Sequence, residues 1–337
     1  MKVTERRTIK RAGIDLTVFG LGCASFGGLY TPADASDAFA TMQAAWDAGV
    51  RYFDAAPMYG LGRAEHLLGH FLREQAGDRS EAALSTKVGR LMTRARPGRE
   101  LPPEAPKNPL DPGWQNGLNF REVFDYSYDG IMRSFDDSQQ RLGLPEIDLL
   151  YVHDIGRVTH ADLHDHHWNA LTSGGFRALS ELRAAGLIKG FGLGVNEAEA
   201  ISDAINAVDL DCCLLAGRYT LLDRDAAPLL DKAQAQDVAI VIGGVFNSGI
   251  LAAGAGSPRK FDYKDAPDDI VREVERLSAI CARFDVPLGA AAVQFPMRNK
   301  AVSSVLVGAK NPGNIEASVA WFERDIPEEL WEALDAA

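Results

Sequence analysis

The chain has 337 residues, 46% apolar and 24% charged, proportions ordinary for a globular enzyme and a length open to one α/β barrel or two smaller domains. A net charge of −12 argues against nucleic acid or another polyanion as partner, and no apolar run approaches the roughly 18 residues of a membrane span. The opening MKVTERRTIKRAG lacks the apolar stretch of a secretion signal, and Cys23, Cys212, Cys213 and Cys281 form no CxxC, so a reducing, cytoplasmic location is expected.

A short hairpin opens the chain, with strands at 8–10 and 16–18 turned through Ala12-Gly13. Apolar runs of strand length then follow at 19–22, 51–54, 82–86, 147–152, 188–194, 211–215, 238–242 and 303–307, separated by segments of helical period. Near-continuous apolar strands are covered on both faces and parallel, with helical crossovers between them. After the third of these runs comes the clearest helical signal: Ser127 as cap, Ile131, Phe135, Ser138 and Leu142 as the apolar stripe, and Gly143 as the stop. A similar stripe of Ala38, Met42, Ala45 and Trp46 ends at Gly49. Eight strand–helix pairs predict a (β/α)8 TIM barrel with an N-terminal β-hairpin, residues 1–337 forming a single domain.

Two connections exceed ordinary links. Residues 90–120 hold six prolines and the basic cluster Arg90, Arg94, Arg96, Arg99 and Lys107, the make-up of a lid. Residues 155–167 are polar and histidine-rich and read as a solvated loop or substrate rim. Both leave strand C-terminal ends, the face where barrel enzymes place their sites.

Asp54, Tyr59, Lys87 and His153 fall at or just beyond the ends of three successive strands and would share that rim. A phenol with a pKa near ~10 is a poor acid or base at neutral pH unless a cation lowers it. Lys87 supplies the cation, Asp54 the anion that makes a buried ammonium tolerable, and His153 remains to hold the reacting oxygen. GLGCAS at 20–25 and GLGRAE at 60–65 begin like dinucleotide fingerprints without completing one, and a doubly wound domain is rejected. His66 and His70, and the group His160, His164, Asp165, His166 and His167, lack the glutamate of HExxH and predict no metal site. Neither GxxxxGK[ST] nor GxSxG occurs, leaving phosphoryl transfer and serine hydrolysis without support.

The segments GLGCASFG, YFDAAPMYGLGRAEHLLG, STK ending at Lys87, SQQRLGLPEIDLLYVHD, GFGLGVN and SSVLVGAKNPGNIEAS resemble the aldo-keto reductases over nearly the whole chain. That resemblance implies a TIM barrel using a nicotinamide dinucleotide, with Tyr59 as general acid/base tuned by Lys87 and Asp54, and with His153 orienting the substrate oxygen. It implies cofactor contacts at Gly22, Ala24, Asp54 and Asn196; at Phe246, Ser248, Gly249 and Leu251 for the pyrophosphate; and at Gly308, Lys310 and Asn314 for the adenosine. Ala216 stands where a glutamine usually assists, and Gly243 or Gly244 stands where an aromatic ring usually underlies the nicotinamide, leaving Phe246 as the nearest substitute. Gly308 and Asn314 occupy positions where NADP-preferring members carry cations, so NAD is expected to compete at least evenly with NADP. Lys310 is the one residue expected to offset this.

Asp154 after His153, with the Pro-rich insertion, resembles the branch of aldose 1-dehydrogenases (L-fucose dehydrogenases), with pyridoxal 4-dehydrogenases among similar sequences. The implied reaction is oxidation of a cyclic hemiacetal to a lactone, a sugar such as L-fucose or D-arabinose first and pyridoxal second, with a general aldehyde reductase as a further alternative. Asp154 and Trp114 join Tyr59 and His153 as expected substrate contacts. Some barrels of the family serve ion channels as cofactor-binding regulatory subunits; the complete set Asp54, Tyr59, Lys87 and His153 favours an enzyme. Oligomeric state is not legible.

Overall fold

The structure, a computed structural model, describes residues 1–74, 76–97, 100–101, 109, 113–253 and 259–337. Eight parallel strands close a barrel: β1 (Phe19–Gly22), β2 (Tyr52–Asp54), β3 (Ala83–Val88), β4 (Leu149–His153), β5 (Gly190–Val195), β6 (Cys212–Ala216), β7 (Ala239–Gly243) and β8 (Val302–Gly308). Each pairs with its neighbour in sequence, and β8 returns to β1 through Val305 opposite Phe19. The expected strands are all present, their ends shifted by a residue or two. The opening hairpin pairs Arg6–Ile9 with Ile14–Thr17 and closes the barrel floor, where Ile9, Ile14 and Leu16 join Tyr52, Leu149 and Tyr151 in one buried cluster.

Strand periodicity places the polar rim. Alternate residues of a strand face the lumen, so Tyr52 lies below Asp54, Ala83 and Ser85 below Lys87, and Leu149 and Tyr151 below His153. Pairing sets these columns side by side, with Asp54 opposite Ser85, Lys87 opposite Tyr151 and His153 opposite Gly194. The helix Tyr128–Leu142 forms as its caps predict: Ser127 accepts the Gly130 N–H at 3.2 Å, and Gly143 ends it at φ 63°.

The two long connections carry secondary structure that their composition did not signal. The base of 90–120 is an antiparallel ribbon, Arg90–Thr93 paired with Arg121–Phe124. Arg90 is buried rather than displayed on a lid, while Arg99 and Lys107 lie outside the described residues. Residues 155–167 are mostly helical, through Arg157–His160, Ala161–Leu163 and His164–Ala170. Thr159, His160 and His164 are buried, while Arg157, Val158, Asp162, Leu163, Asp165 and His166 are exposed, so the segment is a partly solvated helical rim rather than a loop.

Candidate active site

Lys87 is fully buried, and its Nζ donates to Asp54 Oδ2 at 2.7 Å and to the Ala55 carbonyl at 2.9 Å. Burial pushes Asp54 upward and Lys87 pulls it back. The pair stays ionic, because a neutral Asp54 would leave the ammonium alone in the interior; Lys87 is accordingly held protonated, its pKa raised above the ordinary lysine value by Asp54 against burial. Asp54 Oδ1 accepts from Ser85 Oγ at 2.7 Å. Because that proton is committed, Tyr52 must donate to Ser85 at 3.0 Å and Tyr151 to Tyr52 at 3.1 Å. The charge on Asp54 thus sets the direction of a buried hydroxyl chain running down the lumen.

The Lys87 ammonium lies 4.7 Å from the Tyr59 ring centroid. Burial raises the Tyr59 pKa, Lys87 is the chief opposing influence, and the net direction is upward. Desolvation of the phenol, which strand position does not reveal, outweighs the cation. The loop carrying Tyr59 is fixed by a close backbone crossing, since a Cβ on Gly27 would fall 2.4 Å from the Gly60 nitrogen and one on Gly60 2.6 Å from Gly27 Cα. Only glycine fits at either side.

The His153 ring meets Tyr59 edge-on at 6.0 Å. Burial, Arg90 and Lys87 hold its pKa far below the ordinary value, so it is neutral. Its Nδ1 is buried without a hydrogen-bond partner among the described residues, whereas Nε2 lies 3.5 Å from Asp154 Oδ2. A bare lone pair costs less than a stranded N–H, so the proton belongs on Nε2, facing the cavity.

Asp154 reaches the site in a left-handed conformation, φ 46°, one that Asp tolerates better than most residues. Its carboxylate is bound by the buried guanidinium of Arg90, which also donates to Glu122 Oε2 at 3.0 Å and lies 4.9 Å from the Phe124 ring centroid. Behind it, Tyr126 donates to the His153 carbonyl at 2.7 Å. With its single proton spent there, its oxygen accepts from His160 Nε2 at 2.9 Å; His160, buried and beside His167 and Arg90, is pushed down to about 3. The strand pattern could have flagged Ser85, Tyr52 and Tyr151, but no sequence signal distinguished Arg90, Tyr126 or His160.

Two connected spaces open above these residues. A cavity of about 80 Å3 is lined by Tyr59, Lys87, His153, Asp154, Trp114, Met58, Leu29 and Tyr263; Trp114, 5.7 Å from Tyr59 between ring centroids, also bridges to Leu29. A cleft of about 470 Å3 runs past Gly22, Ala24, Asp54, Asn196, Phe246, Ser248, Gly249, Gly308, Lys310 and Asn314. It contains every expected cofactor residue except Leu251. That side chain is buried in a second core with Leu277 and Trp331, and its N–H is spent on the Phe246 carbonyl at 3.2 Å, so it has neither face nor donor to offer. Asn247 and Gly249 likewise spend their N–H groups within this turn.

The cleft fits an elongated dinucleotide. Gly243 and Gly244 line it without side chains, no heavy atom lies within 4 Å of a Cβ built on Gly249, and Lys310 and Asn314 bring the lining to the N-terminus of the helix Pro312–Glu323, a favourable place for an anion. The Phe246 ring packs edge-on against Trp321 at 6.0 Å. Among the described residues there is no group of three or more potential metal ligands, and no helix is long and apolar enough to cross a membrane.

A parallel barrel with an ionic Lys–Asp pair, a phenol and a neutral imidazole at its C-terminal rim, beside a dinucleotide-sized cleft, has the form of a barrel oxidoreductase. Residues 18–337 match the aldo/keto reductase family, and the chain belongs to that family, whose members use a nicotinamide cofactor. It is 63% identical to the pyridoxal 4-dehydrogenase of Microbacterium luteolum, over 99% of this chain and 97% of that one. It is 39% identical to the D-threo-aldose 1-dehydrogenase of a Pseudomonas species, over 97% and 95%. In fold it is similar to a holo aldo-keto reductase from Bacillus halodurans, with a TM-score of 0.72 at 22% identity, covering 99% of this chain and 96% of that one.

Proposed function

We propose that this oxidoreductase acts on the cyclic hemiacetal of pyridoxal, converting it to 4-pyridoxolactone with NAD. The observation that carries the reading is the 63% identity with a pyridoxal 4-dehydrogenase along 99% of the chain. It reverses the order drawn from sequence, where a sugar stood first. The lining of the smaller cavity agrees. Beside the polar Tyr59, Lys87, His153, Asp154 and Asn196, it is lined by Leu29, Met58, Trp114, Leu214 and Tyr263 and by small residues. A flat ring suits such walls; an aldose would bury hydroxyls lacking partners, each at a cost.

In this mechanism the ionised fraction of Tyr59, which grows with pH, takes the proton of the anomeric hydroxyl. His153 donates from Nε2 to the same oxygen and fixes its distance from the phenol. Lys87 holds the phenolate, and Asp54 with Ser85 holds Lys87. Asn196, whose Nδ2 is anchored to the Ala216 carbonyl at 3.0 Å, would meet the nicotinamide amide, and Ser248, Gly249, Gly308, Lys310 and Asn314 would meet the phosphates and adenosine. A bound oxidised nicotinamide would supply the hydride acceptor for the anomeric carbon. That NAD competes at least evenly with NADP follows from Gly308 and Asn314: each missing charge-assisted phosphate contact removes roughly 1.5–3 kcal/mol, tenfold or more in preference, with Lys310 in the same cleft as the cation that acts against it.

The second reading, aldose oxidation, rests on the 39% identity with an aldose dehydrogenase. Steady-state kinetics with pyridoxal, L-fucose, D-arabinose and simple aldehydes against both cofactors test the proposal. The expected result is the highest kcat/KM for pyridoxal with NAD, and a loss of roughly 10²–10⁴ in Tyr59→Phe. Higher kcat/KM for the sugars, or an affinity for NADP more than a hundredfold above that for NAD, would refute it.

A further inference from the structure

Between β7 and β8 a small hairpin, Lys260–Phe261 paired with Lys264–Asp265, turns through Asp262 and Tyr263 at φ 45° and 64°. A two-residue turn with both central residues left-handed favours Asn, Asp or Gly first and Gly second. Tyrosine in the second position works against the backbone preference, so its side chain needs a reason to be there. The turn is fastened from two sides: Arg218 Nη2 bonds Asp262 Oδ2 at 2.9 Å, and the Tyr263 N–H donates to Ser248 Oγ at 3.0 Å. The fastened tip places Tyr263 in the lining of the smaller cavity together with Trp114, Tyr59 and His153, and also at the edge of the larger cleft.

We propose that Tyr263 is a specificity-determining residue, an aromatic wall supplied with Trp114 around the reacting centre and selecting a flat aromatic hemiacetal. This rests on the substrate reading above and sharpens it. Asp262, bound by Arg218, holds the turn that delivers the ring, and Arg218 in turn bonds the Asn196 carbonyl at 3.1 Å, joining the hairpin to the loop after β5.

The test uses phthalide, a bicyclic aromatic lactone, titrated calorimetrically into the NAD complex of the wild type, Tyr263→Phe and Tyr263→Gly. Glycine relieves the turn, so the variant folds. Phthalide affinity is expected to fall roughly tenfold in Tyr263→Gly and to stay within about twofold in Tyr263→Phe. NAD affinity, from quenching of protein fluorescence, is expected to stay within about twofold in both. Unchanged phthalide affinity in Tyr263→Gly overturns the proposal, as does a wild type that binds no phthalide. A loss of NAD affinity matching the phthalide loss also overturns it, because Tyr263 would then be a cofactor clamp. Pyridoxal turnover by the wild type judges the substrate reading separately; were it absent, the phthalide titration would still decide the role of Tyr263.

Discussion

Replacing Lys87 with methionine separates the two tasks assigned to its ammonium. The cation lies 4.7 Å from the Tyr59 ring centroid; at about 5 Å and an effective dielectric near 20, its attraction for a phenolate is about 3 kcal/mol, or roughly two pH units. Lys87 is the largest influence lowering Tyr59, and Asp54 acts in the opposite direction. Lys87→Met therefore raises the Tyr59 pKa, and the rising limb of kcat/KM for hemiacetal oxidation moves up by about two units, a loss of roughly 10² at any pH below the limb. The same change strands Asp54 in the barrel interior, at a stability cost of about 3–5 kcal/mol. Adding Asp54→Asn removes the stranded charge, so the double variant regains stability in urea denaturation and stays nearly inactive. A limb unmoved in Lys87→Met, or a double variant less stable than the single, would refute the reasoning.

Three further outcomes follow from buried polar groups. Arg90→Leu leaves the Asp154 and Glu122 carboxylates without their shared guanidinium, and equilibrium denaturation should show a loss of about 3–5 kcal/mol. Ser85→Ala removes the 2.7 Å donor to Asp54 and should cost about 1.5–3 kcal/mol in the same assay, with Ser85→Thr recovering most of it. His160, at about 3 when folded against roughly 6.5 unfolded, stays neutral while the unfolded chain takes up a proton, so its contribution is complete above pH ~6.5 and is lost as pH falls toward 3. Between pH 7 and 5 the wild type should lose about 2 kcal/mol more than His160→Gln; parallel pH dependences would contradict the assignment.

Asp54, Lys87 and His153 were legible as strand-end residues because strand periodicity and strand counting are local properties of the chain. The same rule could have raised Ser85, Tyr52 and Tyr151, each one repeat below on the same lumen-facing columns. Arg90 was misread: in a proline-rich stretch with four other cations it looked like a lid residue, and only the ribbon with Arg121–Phe124 turns it inward. Leu251 was assigned from its turn, yet a turn motif does not say which N–H groups remain unspent. The net direction of the Tyr59 pKa was also beyond reach, since desolvation depends on everything packed around the phenol.

The sequence by itself determined the eight-stranded alternation, the hairpin, the caps of Tyr128–Leu142, and the rim on which Asp54, Lys87 and His153 stand. Each follows from hydrophobic period, turn chemistry and the two-residue repeat, which act within a few positions. The tertiary structure decided which charges meet and which rings share a cavity. Arg90 finds Asp154 across 64 positions, and Tyr263 joins Trp114 beside the site from a separate loop. Such meetings depend on how loops leave a closed barrel and are held by packing, and no local period encodes that path.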